Sequence, residues 1–250
     1  MSNFRAFLLP EAELGADYAI LEARESHHLV RVFRAKAGDQ IELLDGLGAR
    51  YLGSIEDANA KGVRISIAKK EIEAARQPQV TLVQAVPKGK AMDLILRMAT
   101  ELGAAAVQPI FTAQGEVQLS GERLESKCEK WRLGMVEACK QCGLAWLPEL
   151  RTPMSFEAWQ KSRETLEAAP LRLLASLEAG SPALIDRLRE ATIPSSGIEV
   201  LVGPEGDFSV EEYRVLKSMK SQSVRLGSNV LRAETAAAYI LSVVDQVTTV

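Results

Sequence analysis

The chain has 250 residues, a formal net charge of −3, 47% hydrophobic and 25% charged residues. That is the composition of an ordinary globular protein with enough chain to bury a core, and no run approaches the roughly 20 apolar residues of a membrane span. The slight acidity argues against coating nucleic acid by bulk charge, but leaves room for a local basic patch.

The first five residues, Met1-Ser2-Asn3-Phe4-Arg5, carry no apolar signal block,. A helical segment is predicted between Glu22 and Arg34, with Leu29, Val30 and Phe33 on one face,. Gln40–Leu44 alternates as a strand and meets the hairpin turn Asp45-Gly46-Leu47-Gly48,. Arg50–Ile55 is the return strand, and Asn59-Ala60-Lys61-Gly62 turns into Val63–Ile67. Short strands at this spacing predict a small barrel or sandwich. Glu71–Gln79 is polar and reads as a linker.

Beyond it the period changes. Val80–Val86 is a strand, Met92–Leu102 a helix closed by Gly103, and Val107–Ile110 a strand,. Arg123–Cys142 is a long helix ended by Gly143. Leu171–Ala175 and Ile198–Val202 are buried strands flanking a helix over Pro182–Glu190, and Glu234–Val247 is the last helix. Strands alternating with helices mean a parallel sheet. The expected organisation is a β-rich domain over residues 1–72 and an α/β domain over residues 79–250.

Three basic clusters stand out: Arg24, Arg31, Arg34 and Lys36; Lys61, Arg64, Lys69 and Lys70; Lys127, Lys130, Arg132 and Lys140. Each is either an RNA-facing patch or a solvated face balanced by nearby acids. Cys128, Cys139 and Cys142 are an odd count, which predicts reduced thiols and a cytoplasmic protein,. Tetrahedral zinc needs four ligands. Only the distant His27-His28 pair could complete a set with these cysteines, so no metal is expected.

The most informative stretch is the last fifth. After the strand Ile198–Val202 comes Gly203-Pro204-Glu205-Gly206-Asp207-Phe208-Ser209. A helix then starts at Ser209, with Glu212 placed to close a capping box,. A turn leaving a strand's carboxyl end for a helix offers free backbone N–H groups where α/β proteins bind ligands. Glycine lets a ligand approach the backbone closely. Leu226-Gly227 ends a second short apolar segment, and Leu231-Arg232-Ala233-Glu234-Thr235-Ala236 follows. The spacing Gly-x-Gly-x-x-Gly of a dinucleotide site is absent,.

In this order and spacing, these segments resemble the C-terminal motifs of SPOUT methyltransferases, most closely the RsmE family. The match extends to Lys88-Gly89, to Ala99-Thr100-Glu101-Leu102-Gly103, to Lys130-Trp131, and to Glu137-Ala138 with Gln141. His27–Val32 with Gly38-Asp39 is similar to the family's N-terminal domain. The resemblance implies a PUA-like β-barrel for RNA binding, followed by an α/β trefoil-knot methyltransferase domain. It implies methylation of N3 of a uridine in 16S ribosomal RNA of the small subunit, with S-adenosylmethionine as cofactor, by a homodimer.

By the same resemblance, Leu177, Gly203, Pro204, Glu205, Gly206, Leu226, Gly227, Leu231 and Thr235 hold the cofactor. Arg5, His28, Arg31, Arg34, Lys88 and Gln141 are the RNA-contact candidates, and Arg97 a further one. Arg232 would stabilise the negative charge left when N3 loses its proton. Glu205 or Glu234 would accept that proton or position a water that does, and capping of the last helix is the plainer role for Glu234. A dimer is expected through the last helix, by Ala237, Ile240, Leu241 and Val244, unless that face packs within its own domain,.

Two departures fall where substrate is expected. Many relatives carry arginine three residues after the glutamine, where this chain has Leu144. Their Thr-Glu-Arg-Ser loop is here Thr112-Ala113-Gln114-Gly115. The alternatives left open are another base in ribosomal or transfer RNA, and an RNA-binding protein without catalysis.

Overall fold

The computed structural model describes residues 4–117 and 119–248. In chain order the elements are β1 (Phe4–Phe7), β2 (Glu13–Leu14), β3 (Tyr18–Ile20), α1 (Ala23–His27) running into a π-helical turn (His28–Val32), β4 (Gln40–Leu44), β5 (Ala49–Asp57) and β6 (Arg64–Ile72). Then follow β7 (Val80–Ala85), α2 (Ala91–Glu101), β8 (Ala106–Phe111), α3 (Gly121–Cys142), β9 (Glu149–Leu150), β10 (Met154–Ser155) and α4 (Phe156–Glu164). The last are β11 (Leu171–Ala175), α5 (Leu184–Glu190), β12 (Ile198–Val202), α6 (Val210–Ser218), β13 (Gln222–Val224) and α7 (Ala233–Thr248).

Two compact units result: Met1–Ala75 together with Val136–Leu147, and Arg76–Met135 together with Pro148–Val250. The end of α3 therefore belongs with the first unit.

The first unit is built on a six-stranded sheet in the order β1-β4-β5-β6-β3-β2. The β4–β5 and β5–β6 hairpins form at the two glycine turns expected for them. Along β5 alternate residues are buried, and Ala49, Tyr51 and Ile55 point inward. The register slips between Leu52 and Gly53, a bulge,. A Cβ at Gly53 would lie 2.1 Å from the carbonyl oxygen of Ser66, so only glycine fits the close approach,. β1 pairs in parallel with β4. Four residues are too few to reveal a strand by alternation, and long-range pairing makes this one. A second small core joins Phe7, Leu44, Val136, Cys139 and Ala145, and the half-buried Leu144 packs against it.

The second unit carries a parallel sheet in the order β10-β8-β7-β12-β11-β13, with β9 also on β8. Every residue of β12 is buried, as expected for a strand covered on both faces,. One face packs Trp159, Phe156, Leu201, Phe208 and Leu216. α4 supplies two of these. It is capped by Ser155, whose hydroxyl accepts from the Ala158 N–H at 3.1 Å. The opposite layer includes α7, which contacts α2, α5, β12 and β7. Ala237, Ile240, Leu241 and Val244 are all buried in the monomer. That corrects the expectation that this face of the last helix is free to meet a second copy. The apolar stripe is spent on its own sheet and on α2. Among the described residues, no helix is long and apolar enough to cross a membrane.

Candidate active site

β12 lies between β7 and β11, although it follows β11 in the chain, and β13 lies beyond β11. Such reversals of strand order open a crevice at the carboxyl ends of strands. A cavity of about 280 Å³ occupies that place, lined by the residues that follow β11, β12 and β13 and by the entry to α7.

Of the residues assigned to the cofactor by resemblance, Leu177, Gly203, Pro204, Glu205, Leu226, Gly227 and Leu231 line the cavity. Arg232 lines it too, and its carbonyl accepts from the Ala236 N–H at 2.8 Å in the first turn of α7. Gly206, Thr235 and Glu234 are not among the lining residues. Gly206 faces the loop before α3 instead, and a Cβ there would lie 2.9 Å from Oε1 of Gln114. Glu234 lies in the first turn of α7, where the helix dipole favours a carboxylate,.

Gly203 is tightly placed, since a Cβ would come within 3.1 Å of Asp207 Oδ1 and 3.3 Å of the Phe208 ring. Asp207 takes a positive φ of 63°. Its Oδ1 accepts from the Phe208 N–H at 2.8 Å, and both its oxygens accept from the Tyr213 hydroxyl, at 3.1 and 3.0 Å. Tyr213 also lies 3.3 Å from the Ser176 hydroxyl. Burial pushes the Tyr213 phenol up to about 12, and the Asp207 charge adds to the rise against the Ser176 hydrogen bond. The phenol therefore stays protonated and keeps donating. Asp207, Ser176, Arg225, Asn229, Val230 and Ala236 also line the cavity, and sequence reasoning assigned none of them. Asp207 stood inside the turn already singled out. Tyr213, six residues on, gave no signal.

The expected capping box is present. Ser209 Oγ accepts from the Glu212 N–H at 3.2 Å, and Glu212 Oε2 accepts from the Ser209 N–H at 2.8 Å. The other Glu212 oxygen accepts from the Ala113 N–H at 2.8 Å, tying the loop after β8 to α6. Glu205 accepts from the Lys88 N–H at 3.0 Å, and the Lys88 ammonium pairs with Glu116. That hydrogen bond from the ammonium to Glu116 raises the Lys88 pKa. Arg97 lies 3.7 Å from Glu101.

The other RNA candidates lie in the first unit. Arg5, His28 and Gln141 line a separate cavity of about 340 Å³. Arg5 is held by Glu42 at 2.6 Å and by the carbonyls of Lys140 and Gln141 at 3.0 and 3.1 Å. Arg31 and Arg34 are exposed.

The three basic clusters separate. Arg64 pairs with Glu56 and Lys69 with Glu71. Lys127 and Lys130 pair with Asp93, and Lys140 with Glu25 and Glu137. Acids thus pair with two of the four cations of the second cluster and three of the four of the third. Arg24, Arg31, Arg34 and Lys36 are exposed, and none is in an ion pair among the described residues. Of the three clusters, this is the one in which no cation is in an ion pair among the described residues.

Among the described residues, no cysteine belongs to a group whose side chains could share a metal ion. Cys139 is buried and pushed up to about 12 by desolvation, while Cys142 is exposed. Glu25, His28 and Glu137 bring ligand atoms within 4.8 Å of one another. The Lys140 ammonium already bridges the two carboxylates at 2.8 and 2.9 Å and supplies the positive charge there.

Residues 75–245 match the RNA methyltransferase domain family, and residues 21–68 match the RNA methyltransferase PUA domain family. The chain is 31% identical over 242 residues to a Synechocystis protein named ribosomal RNA small subunit methyltransferase E, covering 97% of this chain and 77% of that protein. A protein of the same name from Mycobacterium bovis is 31% identical over 234 residues, covering 92% and 87%. Among solved structures, a Legionella pneumophila methyltransferase in complex with bound SAM superposes with a TM-score of 0.85 at 30% identity, covering 97% of each chain. A ribosomal RNA small subunit methyltransferase E from Neisseria gonorrhoeae shares the fold, with a TM-score of 0.84 at 24% identity and 97% coverage of each chain.

Proposed function

Because the chain belongs to the ribosomal RNA small subunit methyltransferase E family, we propose that it methylates N3 of a uridine in 16S ribosomal RNA of the small subunit, using S-adenosylmethionine. The observation that carries this reading is the cavity at the carboxyl ends of β11, β12 and β13, with Arg232 on its wall. Its chemistry suits an adenosyl group. Ala175, Val202, Leu226 and Leu231 offer apolar walls, and the turns at Gly203 and Gly227 offer backbone groups,. The Asp207 carboxylate suits the cofactor's positively charged ammonium and sulfonium groups. When bound, S-adenosylmethionine supplies an electrophilic methyl group.

The protein's own residues do the rest. Arg232 stabilises the charge that spreads over the uracil carbonyls as N3 loses its proton. Glu205 is the better placed proton acceptor, because it lines the cavity and Glu234 does not. Tyr213 holds Asp207, and Asp207 in turn sets the shape of the Gly203 turn. The first unit, with its uncompensated Arg31 and Arg34, binds RNA phosphates, which give salt-dependent affinity and little base choice. The reading carries with it a cytoplasmic protein, a knotted second domain and a homodimer. A two-fold contact along α7 would use its outer side, where Tyr239 is 44% exposed. Leu144, which stands where many relatives carry arginine, packs against the second core of the first unit.

The test is transfer of labelled methyl to small ribosomal subunits lacking the modification. Arg232→Ala should lower kcat by about 100-fold, the cost of one such donor, with S-adenosylmethionine affinity by calorimetry unchanged. Loss of cofactor binding, or an unchanged kcat, would remove Arg232 from this role. Wild-type protein that binds both ligands and never transfers a methyl group would favour the non-catalytic reading.

A further inference from the structure

We propose that the first unit holds a second RNA site, a pocket that reads one unpaired base carrying an exocyclic amino group. The base would stack on Phe33 and His28 and hydrogen-bond to Glu137. This inference rests on RNA being the substrate, as proposed above, but concerns a site separate from the methyl-transfer cavity.

The pocket is the cavity of about 340 Å³ that Phe33, His28, Glu137 and Gln141 help to line. Phe33 is 50% exposed, and among the described residues no other phenylalanine and no tryptophan is so exposed. It pairs with His28, ring centroids 4.7 Å apart at 38°, and with Phe4 at 6.2 Å. The backbone is bent to present it. The π-helical turn His28–Val32 ends at Phe33, whose N–H bonds the His28 carbonyl at 3.1 Å. Arg34 then takes a φ of 57°. π-turns and positive φ at non-glycine residues both collect at functional sites. Arg31 and Arg34 stand within two residues of Phe33 in the chain and are exposed, with no carboxylate paired to them among the described residues, and Arg5 lines the pocket itself. An aromatic platform beside uncompensated cations is the composition of a single-stranded nucleic-acid site.

Base choice follows from Glu137. Its side chain is 43% exposed, and Lys140, itself 7% exposed, holds one oxygen at 2.9 Å. Lys140 is held in turn by the buried Glu25 at 2.8 Å. The carboxylate is thus fixed before any ligand arrives, as a selective contact requires. An ionised carboxylate only accepts hydrogen bonds. Cytosine N4, adenine N6 and guanine N1 with N2 all donate to it. Uracil presents one N–H between two carbonyl oxygens, and those oxygens would face the negative charge. The pocket therefore discriminates against uracil, and so differs from a site whose substrate is uridine.

The experiment uses the full-length protein and fluorescence anisotropy with labelled 12-nucleotide oligocytidylate, oligoadenylate and oligouridylate at one fixed salt concentration. Oligocytidylate and oligoadenylate should bind about 10-fold more tightly than oligouridylate, the usual cost of one wrong base. Phe33→Ala, a change at an exposed site, should weaken the two preferred strands about 10-fold through lost stacking. It should leave S-adenosylmethionine affinity untouched. Glu137→Gln should narrow the cytosine-over-uracil gap to about 3-fold or less, since the amide can both donate and accept. Equal binding of the three strands by wild type, or no effect of Phe33→Ala on any of them, overturns the proposal. If Phe33→Ala spares all three strands and weakens only the association with intact small subunits, the surface serves a ribosomal protein, and the proposal is again overturned. Wild type that keeps the base preference but never methylates small subunits would sink the proposed function and leave this pocket standing.

Discussion

Replacing Lys140 by methionine tests the buried charge network beneath the reading pocket. Glu25 is 3% exposed and Lys140 7% exposed. The Glu25 carboxylate has two partners, the Lys140 ammonium at 2.8 Å and the Phe7 N–H at 3.1 Å. Lys140→Met removes the only charged partner of that carboxylate among the described residues and leaves it in a low-dielectric place. Breaking a buried pair from one side costs about 3–5 kcal/mol. The remaining Phe7 N–H argues for the lower end, about 3 kcal/mol. With a urea m-value of about 2 kcal/mol per M, the midpoint should fall by roughly 1.5 M. Adding Glu25→Gln removes the stranded charge, and the introduced amide can still accept from Phe7. The double variant should recover about 2 kcal/mol relative to Lys140→Met, a coupling only contacting residues show. Urea unfolding followed by circular dichroism measures all three proteins. A midpoint shift below about 0.3 M for Lys140→Met, or a double variant no better than the single, would refute the claim that these charges are buried and mutually dependent.

Glu42 predicts an acid limb. Burial alone would raise its pKa, but hydrogen bonds and charge from Arg5 and Arg50 outweigh that and hold it below the usual value. Its stabilising contribution is therefore complete above the unfolded value of about 4.3 and is lost as pH falls through the lower folded value. Glu42→Gln should flatten the loss of urea stability between about pH 5 and pH 3; an unchanged slope would contradict it. Ile240 is fully buried, so Ile240→Ala should cost about 2–5 kcal/mol in urea unfolding, and a neutral result would mean that this face of α7 is not core. Cys142 is exposed while Cys139 is pushed up to about 12 by burial; an aromatic disulfide reagent at pH 8 should label Cys142 in the native protein and Cys139 only in denaturant. Rapid native labelling of Cys139 would show that the second core of the first unit opens readily.

The local signals in the sequence were those a short window can carry. The turn at Gly203–Ser209 sits between a strand and a capped helix because apolar run, glycines and capping box all lie within about fifteen residues, and β12 and α6 formed there. The hairpin turns of the first unit and the helices α2 and α7 were legible for the same reason. What needed the tertiary structure were choices between partners far apart in the chain. Three basic clusters look alike in sequence, yet Lys140 is neutralised by Glu25, 115 residues away, while Arg31 and Arg34 have no ion-pair partner among the described residues. Glu205 and Glu234 carry the same chemistry, and only the cavity wall distinguishes them. The stripe on α7 reads equally as core or interface, and it became core because α2 and the sheet cover it. Periodicity states that a face is apolar, and capping states where a helix starts. Neither encodes what lies across the gap, because burial and ion pairing depend on long-range contacts that leave no periodic trace in the chain.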